Sequence, residues 1–572
     1  MKALRVAFLY FMKKLRWQIL IVVITLIIVG VLLLTQQPEE TTNFIEPSSG
    51  GIYTEALVGA FGRLNPLFDL NNEADREIDR LLFNSLIRFD SRGIPRADLA
   101  ESWGVSADGM IYNITIRPNA TWHDGMPVTS DDVLFTLSLV RSQFSAYPDD
   151  VRAMWDLVEI TQLDDKNLKF VLPESFAPFL DYLTFGVLPK HLLETVPADQ
   201  IIQNDFNLAP VGTGPYRFEE LTVEDGVITG VVLTRNETYF GAQPFIDQIV
   251  FRYYPDSPTA LAAYQGGEVL GISRITPDIL EEALAEDNLA FYSSRQPELT
   301  LVIFNLDNPA KPFLQEKNVR LALLRGLNRQ WMVDAFLGGQ GIVADSVILP
   351  NTWAYYDGVD QVGYDPTAAQ KMLDEAEYTL IEGGTVRSKD DTSLSFTLLY
   401  PETEFHKNLA ETIQKEWNEI GVDVTLTPVP YETLLNNHLA TRNFEAALID
   451  LDLARSYDPD PYPFWHQTEA TGGQNYSQWD NRAASEYIEQ ARVIANMDTR
   501  MRLYRNFQVI FAREMPALPL FFPVYTFGVD TRVMGVQSPP LFEPADRLNV
   551  ISQWYLITQK ALEETQLPTS IP

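Results

Sequence analysis

The stretch LAESWGVSADGMIYNITIRPNATWHDGMPVTSDDVLFTL, residues 99–137, combines a strand, two turns and the start of a helix. Apolar side chains alternate through residues 110–117, with Tyr112, Ile114 and Ile116 on one face, which predicts a strand. Thr129 stands before two aspartates and an apolar run, the pattern of a capped helix start. Strand and helix signals within forty residues indicate a mixed α/β fold.

The same mixture continues along the chain. Residues 248–253 (QIVFRY) and 299–305 (LTLVIFN) have the composition of strands. Asp365, followed by proline, predicts a helix start, and an apolar stripe over 405–420 predicts a helix that ends at Gly421. No internal repeat is visible. The chain therefore belongs to the α/β class rather than to the barrels or bundles.

Length and charge restrict the possible functions. The chain has 572 residues, more than one hydrophobic core accommodates, so we expect two or more lobes. It carries 77 acidic against 43 basic residues, a formal net charge of −34. Such a chain is repelled by nucleic acid, which we therefore exclude as a partner. We interpret the acids as a solubilising surface, and a preference for cationic ligands remains the alternative.

Several kinds of reaction chemistry have no residues to support them. The chain has no cysteine, which excludes disulfides, thiolate metal sites and cysteine nucleophiles. Its five histidines show no short metal-ligand spacing, and neither a phosphate-binding loop nor a G-x-S-x-G motif is present. His123 and Asp124 precede a glycine and are interpreted as part of a turn. We expect no catalytic residue, no metal and no cofactor.

The N-terminal residues predict a membrane anchor. Residues 1–16 form a basic cytoplasmic leader, residues 17–35 an apolar segment, and residues 36–50 a polar linker. The apolar segment is long enough to cross most of a hydrocarbon core of about 30 Å. The preceding cations place the N-terminus inside and the soluble part on the extracytoplasmic side of the cell membrane. The alternative is a cleaved signal peptide, although no small-residue cleavage motif follows.

Residues 99–137 and six later segments resemble, in order, the bacterial extracellular solute-binding proteins of family 5, the peptide/nickel class of ABC transporters. The later segments are VGTGPYRF (211–218), VRLALLRGLNRQWMV (319–333), YDPTAAQKMLDEAE (364–377), residues 400–424, DPDP (458–461) and residues 505–523. Each motif alone is weakly specific. Their order over roughly residues 50–530 makes the resemblance specific.

The resemblance implies a two-lobed periplasmic-binding-protein-like fold, type II, with an extra subdomain, behind the N-terminal transmembrane helix. The first lobe would cover residues 51–305, with the extra subdomain at about 81–205. Residues 306–518 would form the second lobe, and residues 519–572 would return to the first lobe and end in a tail. Residues 299–305 and 519–525 would be the crossings between lobes.

The function that the resemblance implies is the substrate-binding component of an ABC importer. The chain would act as a monomer, capture a peptide or peptide-like solute between its lobes and deliver it to the permease and ATPase subunits, without being an enzyme. A sensor or docking protein for a sugar or a metal chelate is one alternative. A membrane-anchored hydrolase that uses acidic residues is the other.

The resemblance also suggests ligand-binding residues. Oligopeptide-binding members carry Arg-x-x-Trp-x-x-Asp before the D-P loop, but here Leu448 and Leu451 occupy the basic and tryptophan positions. A different aspartate would then hold the ligand amine. The candidates are a basic side chain at His406, an aromatic wall at Tyr431 and Trp465, an amine-binding carboxylate at Asp450, Asp452 or Asp458, and an anion-binding Arg455.

Overall fold

The longest strand of the protein, Ala517–Asp530, takes part in both halves of the main sheet. The computed structural model describes residues 47–380, 382–454 and 457–557, and Ser49–Leu556 form one unit. The predicted leader (1–16), anchor (17–35) and most of the linker (36–50) lie outside these ranges. Among the described residues, no helix is both long enough and apolar enough to cross a membrane.

The strands are numbered in chain order through the described ranges. They are β1 Ile52–Val58, β2 Ile87–Phe89, β3 Pro95–Ala97, β4 Ala100–Val105, β5 Ile111–Ile116, β6 Glu159–Asp164, β7 Asn167–Val171, β8 Tyr216–Glu224, β9 Val227–Arg235, β10 Gln248–Tyr254, β11 Gly271–Ile272, β12 Leu289–Arg295, β13 Glu298–Phe304, β14 Gly341–Val343, β15 Thr379–Leu380, β16 Arg387–Lys389, β17 Thr392–Ser393, β18 Ser395–Pro401, β19 Asp423–Val429, β20 Ala446–Asp452, β21 Ala517–Asp530, β22 Val533–Met534 and β23 Tyr555–Leu556.

The longer helices are numbered in the same way. They are α1 Glu73–Leu82, α2 Ser130–Val140, α3 Asp149–Leu157, α4 Ser257–Gln265, α5 Lys317–Arg325, α6 Arg329–Phe336, α7 Pro366–Glu375, α8 Glu404–Glu419, α9 Arg482–Val493 and α10 Met497–Glu514. The short and irregular helical segments are Asp69–Asn71, Ala177–Leu183, Lys190–Leu193, Ile201–Gln203, Asp205–Leu208, Leu280–Ala283, Pro312–Gln315, Tyr431–Thr433, Leu434–Leu439, Tyr462–Trp465, Gln467–Ala470 and Pro544–Gln553.

The helix ends follow the predicted capping residues. Thr129 caps α2, where its backbone amide donates to the Asp132 carboxylate at 2.8 Å. The Asp365 side chain accepts a hydrogen bond from the Ala368 amide at the start of α7. Gly421 follows α8 with a φ of +87°, a conformation that favours glycine. The predicted strand at 110–117 and the predicted helices are confirmed.

The main sheet runs in the order β19-β18-β20-β13-β21-β11-β1-β10-β9-β8, with β12 and β14 also paired to β21. The first part of β21 pairs with β13, through Ala517 opposite Ile303. Its last residues pair with β11 and β12, through Val529 opposite Gly271 and Ala290. One strand therefore belongs to two groups of strands.

The buried apolar clusters divide the molecule at β12 and β13. One cluster draws on residues 53–251 and 525–554, and a smaller one beside it covers residues 56–289. Two others pack on opposite faces of β13, with Val302 and Phe304 in one and Leu301 and Ile303 in the other. We call residues 49–295 and 524–556 the first lobe, and residues 298–523 the second lobe.

These clusters place the residues of β13 with the second lobe. The sequence prediction placed residues 299–305 at the end of the first lobe, so the predicted division at 305/306 stays a prediction. The second crossing, predicted at 519–525, lies within β21, Ala517–Asp530. A separate antiparallel sheet in the order β4-β5-β7-β6 falls inside the predicted extra subdomain, about 81–205.

Candidate functional site

A cavity of about 860 Å³ lies between the two lobes, and we call it the interlobe cavity. Its lining includes Asp79, Arg88 and Tyr239 from the first lobe, and Asp452 and Trp465 from the second. This volume falls within the range of about 300–1,000 Å³ that is typical of small-ligand sites. The walls carry carboxylates, guanidinium groups and aromatic rings, so the cavity can bind a ligand with charges of both signs.

The first-lobe wall of the cavity is formed in part by helix α1. Asn72 caps this helix by accepting the amides of Ala74 and Asp75. On the cavity side, Arg76 binds Glu543 at 3.1 Å, and Arg80 binds the same glutamate. These arginines are therefore neutralised within the protein, as expected for cations on a half-buried surface.

The second-lobe wall includes the acidic loop 457–460. The Asp458 carboxylate is bound by the Arg500 guanidinium at 2.6 and 2.8 Å. Asp460 pairs with Arg492 at 2.9 Å, and burial raises the pKa of the Asp460 carboxyl to about 6. The loop is thus held by ion pairs with helices α9 and α10 and is a fixed part of the wall.

Several contacts join the lobes directly across the cavity. The Tyr457 ring stacks on Phe89, with 4.9 Å between ring centroids. The Asp458 amide donates to the Asp181 carboxylate at 2.8 Å, and the Ser175 hydroxyl donates to the Val493 carbonyl at 2.6 Å. The structure therefore shows the lobes drawn together around the cavity.

The predicted ligand-binding residues fall into three groups. Asp452, Asp458 and Trp465 line the interlobe cavity. Asp452 is exposed, and one of its oxygens accepts the Ala454 amide at 2.8 Å. Trp465 is 2% exposed and packs edge-on against Phe511.

The second group lies apart from the cavity. His406 Nε2 and an Asp450 carboxylate oxygen are 2.8 Å apart, and the other oxygen of Asp450 accepts the Thr300 hydroxyl at 2.7 Å. His406 Nδ1 faces the Thr403 hydroxyl at 2.7 Å. Tyr431 is 57% exposed and does not line the cavity. Arg455, the third case, lies outside the described residues.

The structure also brings to the cavity charged residues that the sequence did not single out. Asp69, Asp79 and Arg88 all line the cavity. Arg88 lies on β2, is exposed, and makes no hydrogen bond or ion pair with the described residues. An acidic helix such as α1 is typical of a solvated surface, so no sequence pattern marks Asp79 as buried.

Two lobes that share one sheet and enclose a charged cavity define a two-lobed α/β binding protein. No cluster of three or more metal-ligating side chains occurs among the described residues. The chain belongs to the bacterial extracellular solute-binding proteins of family 5, because the model described as "Bacterial extracellular solute-binding proteins, family 5 Middle" matches residues 95–475. This confirms the family resemblance, and this family is a class of binding proteins rather than of enzymes.

The relatives of the chain are peptide-binding proteins by name. It is 25% identical to the oligopeptide-binding protein AppA of Bacillus subtilis (strain 168) over 518 residues, 89% of this chain and 92% of AppA. It is also 25% identical to the dipeptide-binding protein of Escherichia coli (strain K12) over 486 residues, 80% of this chain and 87% of that protein.

Solved structures agree with the fold. The structure of AppA from Bacillus subtilis in complex with a nonapeptide matches 90% of this chain and 100% of that chain, with a TM-score of 0.64 and 25% identity. The ABC transporter substrate-binding protein CtaP from Listeria monocytogenes matches 89% of this chain and 100% of that chain, with a TM-score of 0.72 and 25% identity. The two-lobed α/β fold is therefore confirmed.

Proposed function

We propose that this protein captures a peptide in the interlobe cavity and delivers it to the permease of an ABC importer. The observation that carries the proposal is the cavity of about 860 Å³ with charged groups from both lobes. The names of the oligopeptide-binding and dipeptide-binding relatives support a peptide rather than a sugar or a metal chelate. Lobe closure around the ligand then presents one defined shape to the transporter.

The cavity offers one group of each sign for the two ends of a peptide. Asp452 on β20 is an exposed carboxylate that suits the free amine. The Arg88 guanidinium on β2 makes no ion pair within 4 Å among the described residues, although it lowers the pKa of Asp98, and it suits the terminal carboxylate. Charge-assisted hydrogen bonds of this kind are strong in a desolvated cleft.

Calorimetric titration of the purified full-length protein with di-, tri- and pentapeptides tests the proposal. We expect one peptide to bind per chain, with no turnover and with no effect of EDTA. Binding of an oligosaccharide or a nickel–histidine chelate, with no binding of any peptide, would contradict it. Hydrolysis of the peptides, lost on adding EDTA, would instead favour the hydrolase.

The two charged groups give a matched pair of variants. We expect Asp452→Asn to weaken a free-amine peptide about tenfold and to leave its N-acetylated form unaffected. We expect Arg88→Ala to weaken a free-carboxylate peptide about tenfold and to leave its amidated form unaffected. The control is Asp149→Asn, which removes a carboxylate that is 93% exposed and does not line the cavity.

The proposed location is the outer face of the cell membrane, with residues 17–35 as a single-pass anchor. The support for the anchor is the apolar sequence of that segment and its basic flank. Alkaline carbonate washing of membranes should leave the full-length protein in the pellet, whereas removal of residues 1–35 should release it. Release of the intact chain by the wash would contradict the anchor.

A further inference from the structure

Helix α1 and the turn before it place an unusual pair of carboxylates in the cavity wall. Asp79 is 3% exposed, and neither of its carboxylate oxygens meets hydrogen-bond geometry with a donor among the described residues, although the nearby Asn65 amide lowers its pKa. Burying a carboxylate without a hydrogen-bond partner costs free energy, and most buried polar groups in native proteins have such a partner. Asp79 lines the interlobe cavity, although both of its carboxylate oxygens lie below the exposed surface.

Asp69 lies beside Asp79 and is slightly more exposed. It is 7% exposed, lines the cavity, and its carboxylate accepts no hydrogen bond from the described residues. The guanidinium of Arg76 lies near enough to act on its charge, but that group is engaged with Glu543 at 3.1 Å. The neighbouring cation is therefore already compensated by another acid.

A third aspartate of α1 shows what a satisfied carboxylate looks like here. Asp75 accepts the Gly62 amide at 3.0 Å, the Arg63 amide at 2.7 Å and the Asn72 side chain at 2.7 Å. It does not line the cavity. Of these three acids, only Asp69 and Asp79 line the cavity, and neither carboxylate accepts a geometrically defined hydrogen bond from the described residues.

We propose that Asp69 and Asp79 form a subsite for a cationic group of the ligand, a primary ammonium or a guanidinium. An ammonium brings three donors and a guanidinium five, which is what two carboxylates without donors require. The inference rests on the proposed function and deepens it, because it makes the ligand a peptide with a basic side chain. It also agrees with a net charge of −34.

Burial favours the protonated form of both acids while the cavity is empty. It raises the pKa of the Asp69 carboxyl to about 7 and that of Asp79 well above its usual range. Asp69 and Asp75 raise the pKa of Asp79, and Asp75 raises that of Asp69, where Arg76 and Arg80 oppose the shift. The other ionisable groups that face the pair are Glu543, Tyr147 and Tyr253.

The sign of the pH dependence follows from these shifts. Below pH 7, Asp69 holds a proton that a cationic ligand group must displace, so affinity is reduced. Affinity for the cationic ligand should rise as the pH increases through 7. Binding should release protons, which titration in two buffers of different ionisation enthalpy measures.

The test compares a lysine-containing tripeptide with the same peptide carrying norleucine, by titration of the full-length protein. We expect the lysine peptide to bind at least about tenfold more tightly and to release protons. In Asp69→Asn and Asp79→Asn, the preference and the proton release should be lost while the norleucine peptide still binds. The exposed-site variant Asp149→Asn should retain both.

The outcomes separate the subsite from the proposed function. If both peptides bind equally to the unchanged protein, or if the variants keep the preference, the subsite is wrong and the peptide-binding function stands. If no peptide binds, the proposed function fails. The same titration in potassium chloride, compared with choline chloride, tests whether the subsite holds an inorganic cation instead. Loss of the lysine preference in potassium chloride would overturn the assignment of the subsite to a ligand ammonium or guanidinium.

Discussion

Asp458 lies in the cavity wall, yet its carboxylate is engaged inside the second lobe. It is 7% exposed and binds Arg500, which is 3% exposed. Removing one partner of a buried ion pair leaves an uncompensated charge, so we expect Asp458→Ala to lower the free energy of unfolding by about 3–5 kcal/mol. Urea denaturation of the variant and the unchanged protein measures the difference.

The exposed Asp149 is the control for Asp458. Its carboxylate pairs only with a neighbouring arginine on the surface, so Asp149→Ala should change the unfolding free energy by less than about 1 kcal/mol. If Asp458→Ala kept full stability and lost peptide binding, the residue would be a ligand contact and the structural role would be wrong.

Asp458 also shows what neighbouring residues in the sequence can and cannot predict about a single side chain. The DPDP motif correctly indicates a tight acidic loop, and that loop lines the cavity. Its partner Arg500 is 42 residues further along the chain, and no spacing rule connects the two. Asp79 was missed for the same reason, because its neighbour Tyr253 lies far away in sequence.

Asp132, the third residue of helix α2, does more than complete the cap of that helix. The Asp132 carboxylate accepts the amides of Thr129 at 2.8 Å and Lys190 at 3.0 Å, and the indole of Trp122 at 3.4 Å. Without this carboxylate, the two amides and the indole have no acceptor. We therefore expect Asp132→Ala to lower the free energy of unfolding by about 2–3 kcal/mol. Thermal and urea unfolding of the variant check this value.

The matched change at this helix start is Thr129→Ala. The Thr129 hydroxyl donates to the Asp132 carboxylate at 3.1 Å and takes part in the capping box, so its loss should cost about 0.5–1 kcal/mol. If both variants lost the same unfolding free energy, the hydrogen bond from the Lys190 amide to Asp132 would contribute nothing to stability.

At the scale of elements, the sequence predicts what neighbouring residues decide. The cap at Thr129, the cap at Asp365 and the stop at Gly421 are local, and each is confirmed. The apolar run 299–305 was predicted as a strand, but its two buried faces belong to different clusters of the second lobe. The lobe to which a strand belongs depends on its pairing with strands that are distant in the sequence. The periodicity of residues 299–305 therefore could not assign this strand to a lobe.

Closure of the whole molecule depends in part on one hydroxyl group. Tyr457 in the second lobe lies 3.4 Å from the Arg80 guanidinium and 3.4 Å from the Asp546 carboxylate of the first lobe. Tyr457→Phe keeps the stacking on Phe89 and removes these bonds. We expect peptide affinity to fall about three- to tenfold, because the closed form loses stability relative to the open form.

Small-angle scattering measures the same effect without a ligand. The Tyr457→Phe variant should have a larger radius of gyration than the unchanged protein, and saturating peptide should bring the two values together. Identical radii and identical affinities would show that the hydroxyl has no part in holding the lobes. The family resemblance predicted two lobes, but no motif marks Tyr457 as a residue that joins them, because its partner Arg80 lies 377 residues earlier in the chain.

Strand β21 also constrains how the chain is made. Residues 517–530 pair with strands of both halves, and the largest apolar cluster draws on residues as late as Trp554. Neither half can finish folding until these residues have left the ribosome, although N-terminal segments of most proteins fold first. Because β21 is synthesised late, the chain stays incompletely folded during synthesis. An incompletely folded chain is the form that can pass through a membrane translocation pore.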